Sequence, residues 1–169
     1  MRDQQTNTTE SKTTCGSELH NSITLKANQG ENMNASTLPA TNLQAGVALY
    51  KLSSFISTTQ LQALSALCHG EEKQFFYDKL VEVANIVETM PVTYATDGQG
   101  DQAFVHLHYF TAGANWYITE RDVYVKQLQA FGKANLGHGG ELGYISIVEI
   151  VKCGAELDLY WQPKKLAEI

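Results

Sequence analysis

The chain lacks an excess of positive charge. It carries 12 Lys and Arg residues against 18 Asp and Glu residues, which gives a formal net charge of −6 at pH 7. Proteins that bind nucleic acid without sequence preference generally present a basic surface. The acidic balance therefore favours a protein partner over naked DNA, and it leaves a local basic patch as the remaining route to nucleic acid.

Paired cysteines and long apolar runs are also missing. Cys15, Cys68 and Cys153 are widely spaced and form no CxxC arrangement, which argues against a disulfide framework or a zinc knuckle and favours free thiols in a reducing compartment. Residues 1–14 are too polar for a signal peptide, and no apolar run is as long as a membrane span. We therefore expect a cytoplasmic protein that does not enter a membrane.

Aromatic residues are absent from the chain before Tyr50, where Thr, Asn, Gln, Ser and Ala dominate. Such a segment buries too little apolar surface to offset the entropy of ordering it. The sequence therefore predicts two parts, a disordered polar tail over residues 1–45 and a single α+β domain over residues 46–169.

Two helices are predicted at the start of this domain. Ser57-Thr58-Thr59-Gln60 has the form of a capping box, and leucines at helical spacing follow it as far as Gly70. A second helix is predicted over residues 73–89, because four apolar residues make one stripe on it and Met90-Pro91 ends it: Phe76, Leu80, Val83 and Val87.

After Pro91 the apolar period changes to alternation, which predicts a mostly antiparallel sheet. The predicted strands are residues 92–96, 103–110, 115–120, 123–131 and 155–161. A glycine-rich loop is expected over residues 132–143, and Ser146 with Glu149 forms a capping box for a short helix before the last strand. The fold class is α+β, with two N-terminal helices, a mostly antiparallel sheet and this short helix.

Several short motifs in this β region occur in a recognisable order. They are Trp116-Tyr117-Ile118-Thr119-Glu120, Phe131-Gly132, Glu141-Leu142-Gly143-Tyr144-Ile145-Ser146 with Glu149, and Asp158-Leu159-Tyr160-Trp161 with Pro163. On these motifs, residues 104–166 resemble the bacterial family catalogued as domain of unknown function 2958, which is associated with plasmids and phages. The stretch 133–140 is longer and richer in glycine than in that family. The resemblance implies a compact α/β domain from a mobile genetic element, and it implies no activity, cofactor or catalytic residue.

A metal site is one hypothesis for the histidines. His106 and His108 lie two apart on a predicted strand, so their imidazoles should share one face, as two ligands of one divalent metal do. His138, Glu120 or Glu141 could supply a third ligand. The alternative is that this pattern is the solvated face of a half-buried strand.

Acidic residues and the glycine loop give two further candidate sites. Glu120, Glu141 and Asp158 each follow or lie in a predicted strand, and paired carboxylates serve in acid–base catalysis or bind a divalent cation. Alternatively, Glu141 bonds amides of the loop. A loop that closes over a ligand, with His138 as the polar contact, is the second candidate.

The aromatic residues predict a binding face. Tyr117 and Tyr160 point away from their neighbours Trp116 and Trp161 on alternating strands, so one set packs inward and the other lines a second face. The candidate residues of the binding surface are Tyr117, Glu120, His138, Glu141, Tyr144, Asp158 and Tyr160.

No GxSxG elbow and no nucleotide-binding fingerprint is present. The leading hypothesis is therefore a noncatalytic accessory or regulatory protein of a mobile genetic element that needs no cofactor and acts through a protein partner, one version being an inhibitor of host defence. The alternative is a metal-dependent hydrolase of nucleic acid or nucleotides, and a third is a module that oligomerises through a sheet edge.

Overall fold

The computed structural model describes residues 38–137 and 139–169, and this part of the chain has an α+β fold. The helices in it are α1 (Asn42–Leu52), α2 (Thr58–Leu67), α3 (Lys73–Thr89) and α4 (Ile147–Lys152). Three helices rather than two precede the sheet, so the predicted helix count is corrected. The predicted tail, with Cys15, lies outside the described residues up to position 37.

Helix α1 begins inside the segment predicted to be a tail. Thr41 and Gln44 form a full capping box, in which the Thr41 side chain accepts from the Gln44 amide and the Gln44 side chain accepts from the Thr41 amide. Ala45, Ala48 and Leu52 are buried. The folded domain therefore starts several residues before the predicted boundary at position 46. Helix α1 has low hydrophobicity because two of its three buried residues are alanines.

The strands form two antiparallel sheets. Strands β2 (Leu107–Thr111), β3 (Ala114–Glu120), β4 (Ala130–Asn135), β5 (Glu141–Ile145) and β6 (Glu156–Leu157) form a five-stranded sheet in the order β5-β4-β3-β2-β6. Strands β1 (Phe104–Val105) and β7 (Lys164–Lys165) form a separate pair. The mostly antiparallel sheet is thus confirmed, and α4 precedes its last strand, β6.

Gln60 ties α2 to the edge of the larger sheet. The Ser57 side chain accepts from the Gln60 amide as predicted, but the Gln60 side chain turns away from the cap. It donates to the Leu157 carbonyl at 2.8 Å and accepts from the Leu157 amide at 3.1 Å. The side-chain amide thereby supplies the two bonds that a further strand would supply to β6.

The main core lies between the helices and one face of the five-stranded sheet. The predicted stripe on α3 is buried, and it joins sheet residues such as Leu107, Tyr109 and Ile118 in one cluster. The Tyr109 hydroxyl donates to the Phe55 carbonyl at 2.8 Å inside this core. Burial raises the pKa of Tyr109 well above its ordinary value of 10.0.

We expect Tyr109→Phe to lower the free energy of unfolding by about 1–2 kcal/mol near pH 7, because the Phe55 carbonyl loses its buried donor. The raised pKa also makes stability depend on pH. The stability that the buried, neutral Tyr109 hydroxyl contributes is fully present below the unfolded-state pKa of 10.0. Above that pH it is lost at about 1.4 kcal/mol per pH unit, until the pH reaches the folded-state pKa. Urea unfolding from pH 8 to 11 measures both effects.

The control for this prediction is Tyr124→Phe, because the Tyr124 side chain is largely exposed. We expect that variant to follow the wild-type profile. An alkaline slope of equal steepness in the Tyr109→Phe protein would contradict the assignment.

Two predicted strands are loops instead. Residues 92–96 contribute one isolated bridge, Val92 to Arg121, and then turn. In the predicted strand 123–131, the regular strand starts only at Ala130. The Asp122 carboxylate accepts from the amides of Tyr124, Leu128 and Gln129 and folds the intervening residues into a loop.

The predicted strand 155–161 is interrupted after Leu157, because the Asp158 side chain accepts from the Tyr160 amide and makes a turn. Leu157 therefore packs in the main core, whereas Trp161 reaches the small cluster around β1 and β7. The glycine-rich loop is shorter than predicted. Gly132 and Gly143 are paired within β4 and β5, and Gly137, Gly139 and Gly140 hold the positive φ angles of the turn.

Candidate binding surface

The face of the five-stranded sheet opposite the helices carries several of the candidate residues, and we call it the outer face. Side chains alternate across a strand. Tyr109 and Ile118 point into the core, so their neighbours His108 and Tyr117 lie on the outer face, where they are paired across β2 and β3. The pair β1 and β7 covers part of this face, because Ala103, Val105 and Leu166 form a small cluster against Tyr117 and Trp161.

An aromatic pocket of about 470 Å³ opens at one end of the outer face. Strands β3, β4 and β5 supply its floor, and the loop that follows α3 supplies its rim. Its main lining residues are Tyr94, Thr119, Glu120, Phe131, Leu142 and Tyr144. The volume falls within the range of about 300–1,000 Å³ that is typical of ligand sites.

Glu120 holds the rim of the aromatic pocket. The residue is 2% exposed. Its carboxylate accepts from the Tyr94 amide at 2.8 Å, from the Thr96 amide at 2.5 Å and from the Thr96 hydroxyl at 2.6 Å. Tyr94 has a φ of 76°, a conformation that costs a residue other than glycine about 1–2 kcal/mol. The buried carboxylate therefore fixes a strained turn.

Three aromatic rings form a corner in the aromatic pocket. The Tyr94 and Tyr144 rings lie 6.3 Å apart at 71°, and the Phe131 and Tyr144 rings lie 5.6 Å apart at 75°. The neighbouring Tyr94 hydroxyl group raises the pKa of Tyr144, and the negative charges of Glu120 and Asp97 raise it further. Both carboxylates belong to residues that line the same pocket as the three rings.

A second cluster on the outer face surrounds His108. Its Nδ1 contacts an Asp158 oxygen at 3.1 Å, and its Nε2 contacts the Asn115 side-chain oxygen at 3.0 Å. The ring stacks on Tyr117 at 5.0 Å with an interplanar angle of 9°, and the Trp161 ring lies 4.8 Å away. Both ring nitrogens and the ring faces are thus occupied, so His108 serves packing in this arrangement.

The described residues do not assemble a metal site around His106 and His108. His106 lies between β1 and β2, and burial lowers the pKa of its ring. Within residues 38–137 and 139–169, no group of three His, Cys, Asp or Glu side chains is placed to hold a metal ion. His138, the proposed third ligand and the contact of the proposed loop site, lies outside the described residues.

The three acidic residues also occupy separate positions. Glu120 binds the rim of the aromatic pocket, Asp158 contacts His108, and Glu141 is exposed at the start of β5. Each carboxylate thus has its own surroundings, and the predicted convergence of acidic side chains does not occur.

Among the predicted surface residues, the structure brings Glu120 and Tyr144 together in the aromatic pocket. Tyr117 and Asp158 both contact His108 instead. Tyr160 lies beside α3, where its ring stacks on Phe75 at 6.3 Å.

Sequence reasoning missed Tyr94, a residue that is 73% exposed at the rim. The alternation of residues 92–96 predicted a strand there, so Tyr94 was not considered as part of a turn. The signal available in the sequence was the turn sequence Asp97-Gly98-Gln99-Gly100. It could have indicated that the turn begins a few residues before Asp97 and includes Tyr94.

Comparison of the chain with family models, curated proteins and solved structures gave no significant match. The resemblance of residues 104–166 to the mobile-element family therefore stays a prediction. No helix in the described part of the chain has the length and apolar character needed to cross a membrane.

Proposed function

We propose that this protein is a noncatalytic accessory or regulatory binding protein of a mobile genetic element, and that the aromatic pocket is where it contacts a protein partner. One observation carries the proposal: a buried carboxylate holds an exposed tyrosine, Tyr94, in a strained backbone conformation. Strain of this kind persists only where the surroundings enforce it, and it is common at binding sites.

The strain has no evident benefit for folding. A tyrosine that is 73% exposed buries little apolar surface, so its position over the pocket is not explained by core packing. Glycine would adopt the same backbone angle without a steric penalty. A tyrosine at this position is therefore better explained by what its ring contacts from outside.

The family resemblance supports the same location. Five residues that line the aromatic pocket belong to the motifs on which the resemblance rests: Thr119, Glu120, Phe131, Leu142 and Tyr144. The acidic net charge of −6 also suits a protein surface better than a nucleic-acid backbone.

The test is capture of partners by the tagged protein from a bacterial host lysate treated with nuclease, with mass spectrometry of the eluate. We expect a discrete protein to be retained by the wild type and reduced at least about 10-fold by Tyr144→Ala and Tyr94→Gly, because each removes a ring that projects into the pocket. Tyr94→Gly should keep the free energy of unfolding or raise it by about 1 kcal/mol, since the strain is relieved.

Tyr124→Ala is the matched control, because it removes an exposed tyrosine outside the aromatic pocket. Equal capture by all variants would refute the pocket as the site. Nucleic acid alone in the eluate from a parallel capture without nuclease would favour the alternative, a hydrolase of nucleic acid.

A further inference from the structure

Building on the proposed function, we infer that the aromatic pocket receives a cationic side chain, an arginine or lysine of the partner. The inference rests on three features of the described residues: a buried carboxylate without a counter-charge, a corner of aromatic rings, and a lining that contains no basic residue.

Glu120 is the first feature. Its three hydrogen bonds come from neutral donors, two amides and one hydroxyl. Within the described part of the chain, no ion pair involves Glu120. Buried charges in proteins are generally paired or bound to a cation. A cation held in the aromatic pocket would supply the missing counter-charge.

The ring corner is the second feature. Aromatic faces carry the negative part of the ring quadrupole, and they attract ammonium and guanidinium groups within about 6 Å of the ring centre. Tyr144 meets both Tyr94 and Phe131 at steep angles. Rings that meet at steep angles turn their faces in different directions, so a guest among them can contact more than one ring. This arrangement suits an organic cation better than a metal ion, which needs several oxygen ligands.

The charge of the lining is the third feature. Asp97 and Glu120 line the aromatic pocket, and no Lys, Arg or His is among the described residues that line it. Lys133, a nearby cation on β4, extends toward Gly140, since a Cβ built at Gly140 would lie 2.9 Å from its Cε. The charged residues among the described lining are thus both acidic, which favours a cationic guest over an anionic one.

Binding of small probes to the full chain tests this inference. N-acetylarginine amide and N-acetyllysine amide are titrated by nuclear magnetic resonance, with N-acetylcitrulline amide and N-acetylnorleucine amide as neutral matches. We expect the cationic probes to shift the Tyr94 and Tyr144 signals and to bind about 10-fold more tightly than their neutral matches, because the cation–π and charge terms are lost in the latter.

Two pairs of variants locate the effect. Tyr144→Leu, which keeps bulk but removes a ring face, should weaken the cationic probes about 10-fold, whereas Tyr144→Phe should not. Asp97→Asn should weaken them about 3-fold at low salt. Asp101→Asn, an equal change of net charge at a residue outside the lining, should have no effect.

Equal binding of arginine and citrulline probes would overturn the inference, as would the absence of any shift at Tyr94 and Tyr144. If partner capture still depends on Tyr94 and Tyr144 in that case, the proposed function stands and only the cationic guest is refuted. If capture is also insensitive to these residues, both proposals fall.

Discussion

Gly132→Ala should unfold or severely destabilise the domain, with an expected loss of about 3 kcal/mol or more in the free energy of unfolding. A Cβ at this position would lie 2.1 Å from the Tyr117 carbonyl oxygen and 2.9 Å from the Ile118 Cα. Both are backbone atoms of the neighbouring strand β3. They cannot move aside without separating β3 from β4 at the centre of the sheet.

Gly143→Ala is the matched control. Gly143 is paired with Gly132 across β4 and β5, yet a Cβ there would meet nothing within 4 Å. We expect a change within about 0.5 kcal/mol. Urea unfolding followed by circular dichroism compares the two variants, and similar stabilities would contradict the packing of β4 against β3.

Glu120→Gln should be the second most damaging of these substitutions, with a loss of about 2–4 kcal/mol and local opening of the loop after α3. The carboxylate accepts three hydrogen bonds. A glutamine amide group has only one acceptor oxygen, so its nitrogen would face a donor of the loop. Two buried donors that face one another are both left without an acceptor. The substitution also replaces hydrogen bonds to a charged acceptor by weaker bonds to a neutral one.

Amide hydrogen exchange at Tyr94 and Thr96 reports this opening directly. We expect faster exchange at both amides in Glu120→Gln than the change in global stability alone explains. Glu141→Gln is the control, since Glu141 is exposed at the start of β5. If the Tyr94 and Thr96 amides remain protected, the loop is held by other contacts and the role of Glu120 as its anchor is wrong.

Local signals in the sequence predicted much of the helical part. The apolar stripe of α3 and the serines that begin α2 and α4 are where the pattern placed them. Helix α1 carried an equally good signal, the capping box from Thr41 to Gln44. It was missed because its buried face is mostly alanine, which composition counts as weakly hydrophobic.

The sheet was harder to predict at its ends. Strands with regular alternation, such as β3, were located well. The ends of other strands depend on hydrogen bonds from single side chains. Asp122 and Asp158 bond nearby amides and convert predicted strands into turns. The alternation of apolar residues does not show which carboxylate will bond to its own backbone.

The candidate site depended on contacts between distant residues. Glu120 and Tyr144 were both predicted to belong to a binding surface, but nothing in the sequence joins them to Tyr94, which lies 26 positions before Glu120. The pairing of His108 with Asp158 spans 50 positions. Such contacts depend on which strands are neighbours in the folded sheet. The local pattern of residues in the sequence does not show that order.

The hydrogen bonds between Gln60 and Leu157 are expected to form late in folding. Strands β2 to β5 are joined one after another by hairpins or loops, so they can assemble from neighbours in the chain. The Gln60 contact closes a loop of 97 residues, and loop-closure entropy makes such contacts slow to form before their surroundings are in place. During synthesis, α2 leaves the ribosome well before β6, so the bonds between Gln60 and Leu157 can form only after most of the chain has emerged.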